Sequence, residues 1–504
     1  MGDIDYKYSL AFLLKLNMLS RDNMSIANSF FYEGYNLWHI NQQLIFEDIK
    51  AFSVSKKFSP RKKTAFFSKA KDFVIGALLA LFSLASFLFL VIRKRTVLVY
   101  SIDRTNSAHQ SDFRLAPLYE VLVKRGVRYF ELFHTVPRLQ TFQNILMRKR
   151  GALYLEAIGW VFHWKKILGF VRTPTASSVE LKDLSDFDTQ DEKLFAKEIV
   201  RRYRETTSLS IYKINILRRL LRHTSIKAFF AIDDMRYYQE ILLACKSLGI
   251  QTYALQHGHF TKYHVGWLQR EEFEGNFIYP DALLVRSEYW KQELLHLGTY
   301  FPRENIQIAG VQVLPKKDLG RPGRKGEENS KSITILIPYE TSCPKSEVAE
   351  YIRIFLSLPD VSVVFKLRPD IQKEIQLAEY GLLENMPGNW STVSDIKEIE
   401  QDITFVAGTY STYLYDMIAL GKHILVLDTS TDYGERMVEN GIADRIGREN
   451  IPEALKRLSR TGEEELGRRR DTLIGNPPKS LSRTLEEIFT RHNNFSYHVE
   501  EIQG

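Results

Sequence analysis

From Thr96 to about residue 460, short apolar segments that suit β-strands alternate with amphipathic segments that suit α-helices. Strands that alternate with helices at this spacing form parallel sheets, because each crossover helix returns the chain to the same end of the sheet. We therefore predict an α/β fold with doubly wound sheets. The predicted strands are 96–103, 127–134, 152–157, 226–232, 251–256, 282–287, 306–309, 333–337, 361–367, 403–406 and 423–427.

A polar stretch divides this pattern into two halves. Residues 315–331 are almost free of apolar side chains and rich in glycine, proline and charge, which is typical of a linker or an exposed loop. We predict one Rossmann-like domain over residues 96–314 and a second, with C-terminal helices, over residues 332–504. A chain of 504 residues with 44% hydrophobic content can bury two such cores. The two domains are expected to face each other across a cleft.

The region 1–95 precedes both domains and is predicted to be helical and membrane-associated. Its segment Phe73–Ile92 is the most apolar run of the chain and carries no charge. Twenty residues at the helical rise match the thickness of a bilayer's hydrocarbon core. Basic clusters flank the run on both sides, namely Lys56, Lys57, Arg61, Lys62, Lys63, Lys69 and Lys71 before it and Arg93, Lys94 and Arg95 after it.

Two arrangements of residues 73–92 in a membrane are consistent with the sequence. The segment either crosses the bilayer or enters and leaves one leaflet as a monotopic element, with both basic flanks on anionic headgroups. We favour the monotopic element. Further along region 1–95, Trp38 with Tyr32 and Tyr35 fits a membrane-interface belt and ordinary helix packing equally well.

Charge and cysteine content exclude other classes of protein. The net charge of +8 is concentrated around the apolar run rather than on an aromatic-basic face, so we expect no nucleic-acid partner. The two cysteines, Cys245 and Cys343, do not form a disulfide framework and have no metal-ligand spacing around them. We predict no metal site and no cofactor.

One anion site is predicted in the second domain, after the strand 403–406. Ligands of doubly wound sheets bind beyond the carboxyl ends of the strands. There Gly408 permits close approach of a ligand, and a helix N-terminus supplies free N–H groups beside the hydroxyls of Thr409, Ser411 and Thr412. Asp416, one turn later, is placed to accept ribose hydroxyls. The alternative is a plain Ser/Thr helix cap with an exposed aspartate.

Two cations follow the neighbouring strand 361–367. Lys366 and Arg368 occupy alternate positions, so both side chains lie on one face at the carboxyl end of that strand. Their positive charges would neutralise a phosphate group bound at the same end of the sheet. The alternative is a solvated strand end.

These segments carry a resemblance to known families. Residues 408–427 (GTYSTYLYDMIALGKHILVL) resemble the nucleotide-binding segment of GT-B glycosyltransferases, UDP-N-acetylglucosamine 2-epimerases and CDP-glycerol glycerophosphotransferases. Those families have a Gly-x-Ser-Ser/Thr turn and an acidic residue five positions before Gly-Lys-Pro. Asp416 here replaces the commoner Glu, and His423 replaces Pro. Residues 365–369 (FKLRP) resemble a Lys-x-His-Pro segment in which Arg368 replaces His.

The first domain resembles the acceptor half of bacterial surface-carbohydrate transferases. The shared features are a strand ending in Gln256-His257-Gly258, then a Pro-Asp strand, then a strand ending in Gly310. We predict His257 as the general base for the acceptor hydroxyl, because the pKa of histidine suits neutral pH. A structural histidine is the alternative, with Asp233 or Asp234 as the rival base. The expected acceptor pocket is formed by Asp103, Asn106, His109, Arg114, Gln256, Gly258 and His259.

The resemblance covers residues 226–460 and implies a GT-B-like glycosyltransferase. It would move a sugar from a nucleotide-activated donor to a lipid-linked or polysaccharide acceptor in surface glycan synthesis, such as capsule or O-antigen. Donor chemistry of this kind implies the cytoplasmic face of the inner membrane, with membrane lipids as partners. The alternatives are a CDP-glycerol or CDP-ribitol polyol-phosphate transferase and a catalytically inactive membrane scaffold.

Overall fold

The computed structural model describes most of the chain and shows two parallel sheets with helices on their faces. The α/β fold with two Rossmann-like domains, predicted from the alternating pattern, is confirmed. The linker 315–331 lies outside the described residues. The residues described are 5–21, 24–58, 66–92, 95–102, 112–135, 139–148, 152–170, 184–233, 237–256, 258–311, 333–341, 343–368, 371–382, 386–396 and 399–491.

The N-terminal region packs on the first domain through buried aromatic residues, such as Phe12 against Phe195 and Trp38 against Tyr203. Its elements are α1 (Tyr6–Met18), the short hairpins β1 (Ser20–Arg21) with β2 (Met24–Ser25) and β3 (Phe31–Tyr32) with β4 (Tyr35–Asn36), α2 (Leu37–Ile40) and α3 (Gln42–Ser55). Trp38 is fully buried, stacks on Phe30 at 5.3 Å between ring centroids, and donates its indole N–H to the side-chain oxygen of Asn17 at 2.9 Å. Such burial supports ordinary packing for Trp38, not a membrane-interface belt.

Helix α4 (Phe66–Ile92) contains the apolar run and lies against the first domain. Ile75 and Leu79 pack with Phe133 and Tyr154 in a small apolar cluster. Within the described residues, this helix is long and apolar enough to cross a membrane, although 35% of its stretch Val74–Ile92 is buried inside the protein. One face of α4 is therefore already covered by protein.

The first sheet has seven parallel strands. Their bounds are β5 (Val97–Ile102), β6 (Tyr129–His134), β7 (Ala152–Tyr154), β8 (Ala228–Ile232), β9 (Gln251–Leu255), β10 (Ala282–Val285) and β11 (Ile306–Ile308). The order β11-β10-β9-β8-β5-β6-β7 reverses between β5 and β8, which is the switch point of a doubly wound sheet. Its helices are α5 (Ala116–Lys124), α6 (Leu139–Arg148), α7 (Leu155–Ile167), α8 (Gln190–Leu221), α9 (Tyr238–Lys246) and α10 (Glu288–His296).

Helix α8 differs from expectation, because the sequence pattern suggests two helices, at 191–204 and 209–222. The intervening residues include Thr206 and Thr207, which have low helix propensity. Both threonine hydroxyls donate to backbone carbonyls one turn earlier, Thr206 to Arg202 at 3.1 Å and Thr207 to Tyr203 at 2.8 Å. With these groups satisfied inside the helix, 32 residues continue without a break.

The second sheet has six parallel strands in the order β14-β13-β12-β15-β16-β17, with its switch point between β12 and β15. The strands are β12 (Ile333–Pro338), β13 (Val361–Lys366), β14 (Trp390–Val393), β15 (Phe405–Gly408), β16 (His423–Leu427) and β17 (Asp444–Ile446). The helices are α11 (Lys345–Leu356), α12 (Lys373–Glu379), α13 (Thr412–Ala419), α14 (Glu435–Glu439), α15 (Ile451–Leu458), α16 (Glu463–Ile474) and α17 (Leu481–Arg491).

The last two helices return to the first domain. The hydroxyl of Ser287 donates to the carbonyl of Leu473 in α16, and Phe489 in α17 contacts Phe230 at 5.4 Å between ring centroids. Gly310 has φ +100, and a Cβ atom there would lie 2.3 Å from the carbonyl oxygen of Lys479. Glycine therefore permits the close crossing that ties the C-terminal helices, predicted within the second domain, to the first.

A buried histidine makes the first domain acid-sensitive. His39 is 2% exposed, its ring meets Phe273, Phe277 and Tyr300 edge-on at 4.7–5.1 Å, and its Nε2 has no hydrogen-bond partner among the described residues. Burial lowers the pKa of His39 to about 4. Since the unfolded chain binds the proton more readily, stability is full above about pH 6.5 and is lost as the pH falls towards 4.

We expect His39→Phe to lower this pH dependence. Between pH 7.5 and 5, the wild-type protein should lose about 2 kcal/mol of stability through His39, and the variant should lack that loss. Urea unfolding at both pH values measures the difference, with His296→Phe, at an exposed histidine, as the control. An equal pH dependence in wild type and His39→Phe would contradict the assignment.

Candidate functional site

Loops at the carboxyl ends of the two sheets meet across a cleft. After β9, the side chain of Gln256 donates to the carbonyl of Gly258 at 2.7 Å and accepts from the backbone N–H of Arg286 at 3.0 Å. This turn presents His259, whose Nδ1 lies 3.2 Å from the hydroxyl of Thr412 at the start of α13. The structure thus brings residues predicted for the acceptor side next to one predicted for the donor side.

A second cross-cleft contact involves Asp416. Its carboxylate lies 3.2 Å from the guanidinium of Arg286, which follows β10. The Asp416 side chain is 54% exposed and that of Arg286 is 22% exposed. A ribose bound at Asp416 would therefore lie beside a cation from the first domain. Arg286 was not among the predicted residues, although its position after a Pro-Asp strand marks it as a strand-end residue.

Asp432, which follows β16, makes a third contact with the first domain. It accepts from the ammonium of Lys262 at 2.6 Å and from the hydroxyl of Tyr263 at 2.8 Å, both in the first domain. Burial opposes ionisation of Asp432, but these two hydrogen bonds outweigh burial and lower its pKa. A cavity of about 180 Å³ lies directly beside it, lined in part by Lys7, Asp428 and Arg445.

The anion site predicted at the start of α13 is filled by the chain's own carboxylate. Glu340, which follows β12, is 3% exposed and accepts from the backbone N–H groups of Thr409, Tyr410 and Ser411 at 2.7–3.1 Å. It also accepts from the hydroxyl of Thr409 at 2.6 Å. The expectation of free N–H groups here is wrong, because a buried carboxylate at the switch point takes them up.

The same interaction changes the interpretation of two predicted residues. A Cβ atom at Gly408 would lie 3.0 Å from the carboxylate of Glu340, so glycine here permits the approach of Glu340. The hydroxyl of Ser411 accepts from the backbone N–H of Tyr413 at 3.2 Å and caps α13. Of the predicted donor residues in this loop, Thr412 and Asp416 are the ones in contact with the opposite domain.

The two predicted cations lie at the carboxyl end of β13. Lys366 is half-buried, and its Nζ is 4.9 Å from the ring centroid of Tyr413. Burial lowers the pKa of Lys366, and this effect exceeds that of the Asp395 charge, which raises the pKa. The side chain of Gln376 bonds both the N–H and the carbonyl of Arg368, which fixes the turn, while Arg368 itself is exposed. The hydroxyl of Tyr413 is buried and has no partner among the described residues.

The predicted acceptor residues divide into three groups. His257, Asp234, Asp103, Asn106 and His109 lie outside the described residues. Asp233 is buried after β8, and its carbonyl accepts from the indole of Trp267 at 3.4 Å. Arg114 holds the fully buried Asp112 through two nitrogens at 2.6–3.2 Å, so its guanidinium supports the loop structure.

A histidine–carboxylate pair in the first domain was missed by sequence reasoning. His134 is the last residue of β6, and its Nδ1 lies 2.5 Å from the carboxylate of Glu156 in the first turn of α7. Both side chains are less than one-fifth exposed. The ring of Tyr237 meets His134 edge-on at 5.2 Å, and Lys213 lies 3.1 Å from the centroid of Tyr237. The available signal was that both partners follow neighbouring parallel strands.

Within the described residues, no group of three or more His, Cys, Asp or Glu side chains is placed to hold a metal ion. Cys245 and Cys343 are both buried, and neither forms a disulfide.

Comparison with known proteins gives similarity to solved structures only. No family model and no curated protein matches this chain. The chain is similar to the calicheamicin glycosyltransferase CalG4, with 12% identity and a TM-score of 0.48, over 80% of this chain and 100% of that one. It is also similar to a glycotransferase of kitacinnamycin (14% identity, TM-score 0.46, 79% and 99%) and to UDP-GlcNAc 2-epimerase from Neisseria meningitidis (14%, 0.43, 79% and 100%).

We expect Glu340→Ala to destabilise the second domain. The substitution leaves three N–H groups and one hydroxyl without their charged acceptor, and hydrogen bonds to charged groups are worth about 1.5–3 kcal/mol each. A loss of about 3 kcal/mol in urea unfolding is expected. Inorganic phosphate should restore part of this loss in the variant by occupying the vacated helix N-terminus.

Glu379→Ala serves as the control, since Glu379 bonds one tyrosine hydroxyl in the same domain at 2.6 Å. Phosphate should leave the stability of this control unchanged. An unaltered unfolding midpoint for Glu340→Ala would contradict the role given to Glu340.

Proposed function

We propose that this protein is a glycosyltransferase that moves a sugar from a nucleotide-activated donor to an acceptor hydroxyl. The observation that carries this function is the pair of contacts between the two domains, His259 with Thr412 and Arg286 with Asp416. Transfer between two substrates requires that both be held in one water-poor site. Two sheets whose ligand-binding ends oppose each other supply that arrangement, and the resemblance of residues 226–460 supports the same reaction.

The donor is proposed to bind to the second domain through side chains. The carboxylate of Asp416 accepts hydrogen bonds from the ribose hydroxyls. Lys366 and Arg368 offset the negative charge of the departing phosphate. Positioned cations stabilise such charge without reorganisation of solvent. Thr412 lies between the two domains and is placed to contact the transferred group. The backbone N–H groups bound to Glu340 do not take part while that interaction holds.

The acceptor is proposed to bind to the first domain, with a histidine as the general base. His134 is favoured by the described geometry, because Glu156 orients its ring and stabilises the imidazolium that forms on proton uptake. Its Nδ1 meets the carboxylate, so Nε2 would take the proton. His257, Asp233 and Asp234 remain the sequence-based candidates, and variants distinguish among them.

The proposed acceptor is lipid-linked or a growing surface polysaccharide at the cytoplasmic face of the inner membrane. The apolar helix α4, which lies on the first domain, supports an acceptor held at a membrane. A scaffold without catalysis is the second candidate function, favoured by the occupation of the helix N-terminus by Glu340. Binding of a nucleotide decides between the enzyme and the scaffold.

Calorimetry with UDP, GDP, CMP and CDP should show binding of at least one nucleotide. Preference for CMP or CDP over UDP and GDP would favour polyol-phosphate transfer. Asp416→Ala should weaken that binding about 10- to 100-fold, because hydrogen bonds to a charged group are lost. Asp360→Ala is the matched control, since Asp360 is exposed and precedes β13, at the amino-terminal end of the strands and away from Asp416. If no nucleotide binds the folded protein, the scaffold is correct and the enzyme is wrong.

His134→Gln should lower turnover by about 10²–10⁴-fold while leaving nucleotide affinity unchanged, because glutamine keeps hydrogen bonding but cannot act as a base. Glu156→Gln should cause a smaller loss, because the side-chain oxygen of glutamine can still accept from the ring and orient it. Turnover with a screened panel of nucleotide sugars provides the measurement.

His257→Gln and the exposed His163→Gln provide the comparison variants. Near-normal turnover in His134→Gln, with a large loss in His257→Gln, would move the base to His257. His163→Gln should resemble the wild-type protein.

A further inference from the structure

Helix α4 has two faces of opposite exposure. Positions that recur every three or four residues along a helix lie on one side of it. The buried side faces the first domain and contains Ile75, Leu79, Ser83, Ser86 and Leu90. The opposite side is exposed and consists of large aliphatic residues, namely Val74 (54%), Leu78 (47%), Leu81 (65%), Leu84 (57%), Leu88 (57%) and Ile92 (76%). An aliphatic stripe of this length marks a contact surface, since water disfavours it.

Helix α7 extends this surface. It runs beside α4 in the opposite direction, because Gly76 touches Trp160 while the hydroxyl of Ser83 accepts from the backbone N–H of Tyr154 at 3.2 Å. The C-terminal end of α7 therefore lies towards the N-terminal half of α4. The residues at this end are among the most exposed large apolar side chains described, namely Ile167 (62%), Leu168 (60%) and Phe170 (77%).

Helix α6 contributes two more exposed apolar residues beside α4. Ile145 packs against the cluster that contains Ile75 and Leu79, and its neighbours Leu146 and Met147 are 74% and 44% exposed. We call the exposed residues of α4, α6 and the end of α7 the apolar surface. Three separate elements therefore present aliphatic side chains around one helix.

Charge and aromatic side chains at the rim indicate what covers the apolar surface. Lys165 and Lys166 are exposed and directly precede the apolar end of α7. Trp160 and Trp164 are half-buried on the same helix, with ring centroids 6.0 Å apart. Tryptophan rings and lysines beside exposed aliphatic residues are typical of the headgroup level of a bilayer, where anionic lipids attract the ammonium groups.

We propose that the apolar surface docks into one leaflet of a bilayer that contains anionic lipids, with α4 lying parallel to the membrane plane. This docking deepens the proposed function, since it rests on that function for the lipid-linked acceptor, but lipid binding itself requires no catalysis. An in-plane helix needs one apolar face, and α4 has one. At 1.5 Å per residue, its 27 residues extend over about 40 Å of the membrane surface.

Strand β7, which packs on the buried face of α4, disfavours a helix that crosses the membrane. Strand β7 is the edge of the first sheet, and its Tyr154 packs on α4. A crossing helix would carry this edge strand into hydrocarbon, where unpaired backbone groups cost several kcal/mol each. A second copy of the chain is also disfavoured as the occupant, because a protein interface would desolvate the ammonium groups of Lys165 and Lys166, whereas anionic headgroups pair with them.

Flotation of the full-length protein with vesicles tests the docking. Vesicles of phosphatidylcholine with phosphatidylglycerol should bind the protein, and vesicles of phosphatidylcholine alone should bind it less tightly. Leu81→Glu should weaken partition about tenfold or more, since a charge replaces an aliphatic side chain that the bilayer would cover. Val123→Glu is the matched control, because Val123 is 59% exposed on α5, outside the apolar surface. Lys165→Glu with Lys166→Glu should remove the preference for anionic vesicles.

Spin labels at Val74, Leu81 and Leu88 distinguish the two orientations, and both native cysteines are buried and so protected from the label. An in-plane helix gives the same depth at all three positions, whereas a crossing helix gives a graded depth. Graded depths, or wild-type partition of Leu81→Glu, would overturn the in-plane docking. A lipid-free dimer that Leu81→Glu dissociates would assign the apolar surface to a second copy. Nucleotide binding by Leu81→Glu should be unchanged, which separates failure of docking from failure of the proposed enzyme.

Discussion

The position of the donor side of the cleft depends on the carboxylate of Glu340. It joins the end of β12 to the first turn of α13 across the switch point of the second sheet. Through this join, α13 begins at a fixed point, and Thr412 and Asp416 are directed towards the first domain. The N–H groups at a helix start are attractive to any anion, and here the anion belongs to the protein. The proposed donor site would therefore consist of side chains around a helix end whose N–H groups already have an acceptor.

The two domains are joined by aromatic contacts as well as by charge pairs, since Trp290 packs on Tyr415 at 4.6 Å and Tyr263 on Tyr433 at 4.7 Å between ring centroids. Arg436 donates to Glu293 at 2.6 Å, and Asn440 bonds the same carboxylate at 2.9 Å. Together with the Asp416 and Asp432 contacts, these bonds hold the loops of the two sheets together.

The apolar surface and the proposed base lie on the same edge of the first sheet. His134 ends β6 and Glu156 begins α7, while α4 and the remainder of α7 form the apolar surface on that edge. An acceptor delivered from a bilayer would thus approach the first domain next to the histidine. The N-terminal region 5–58, by contrast, fills the core beside α8 and does not contribute to this surface, as the stacking of Phe52 on Phe195 at 4.2 Å shows.

The sequence by itself determined the two doubly wound sheets, because their strands and helices carry local patterns of apolar residues. It also located the loop after β9 and the start of α13, where His259 and Thr412 meet. It did not determine the partner of the helix start at Thr409, since Glu340 lies 69 residues earlier and pairs only after both strands share a sheet. The pair His134–Glu156 and the one-sided exposure of α4 were likewise decided by the tertiary structure. Both depend on which strands become neighbours, and strand order is a property of the folded sheet, not of any single segment.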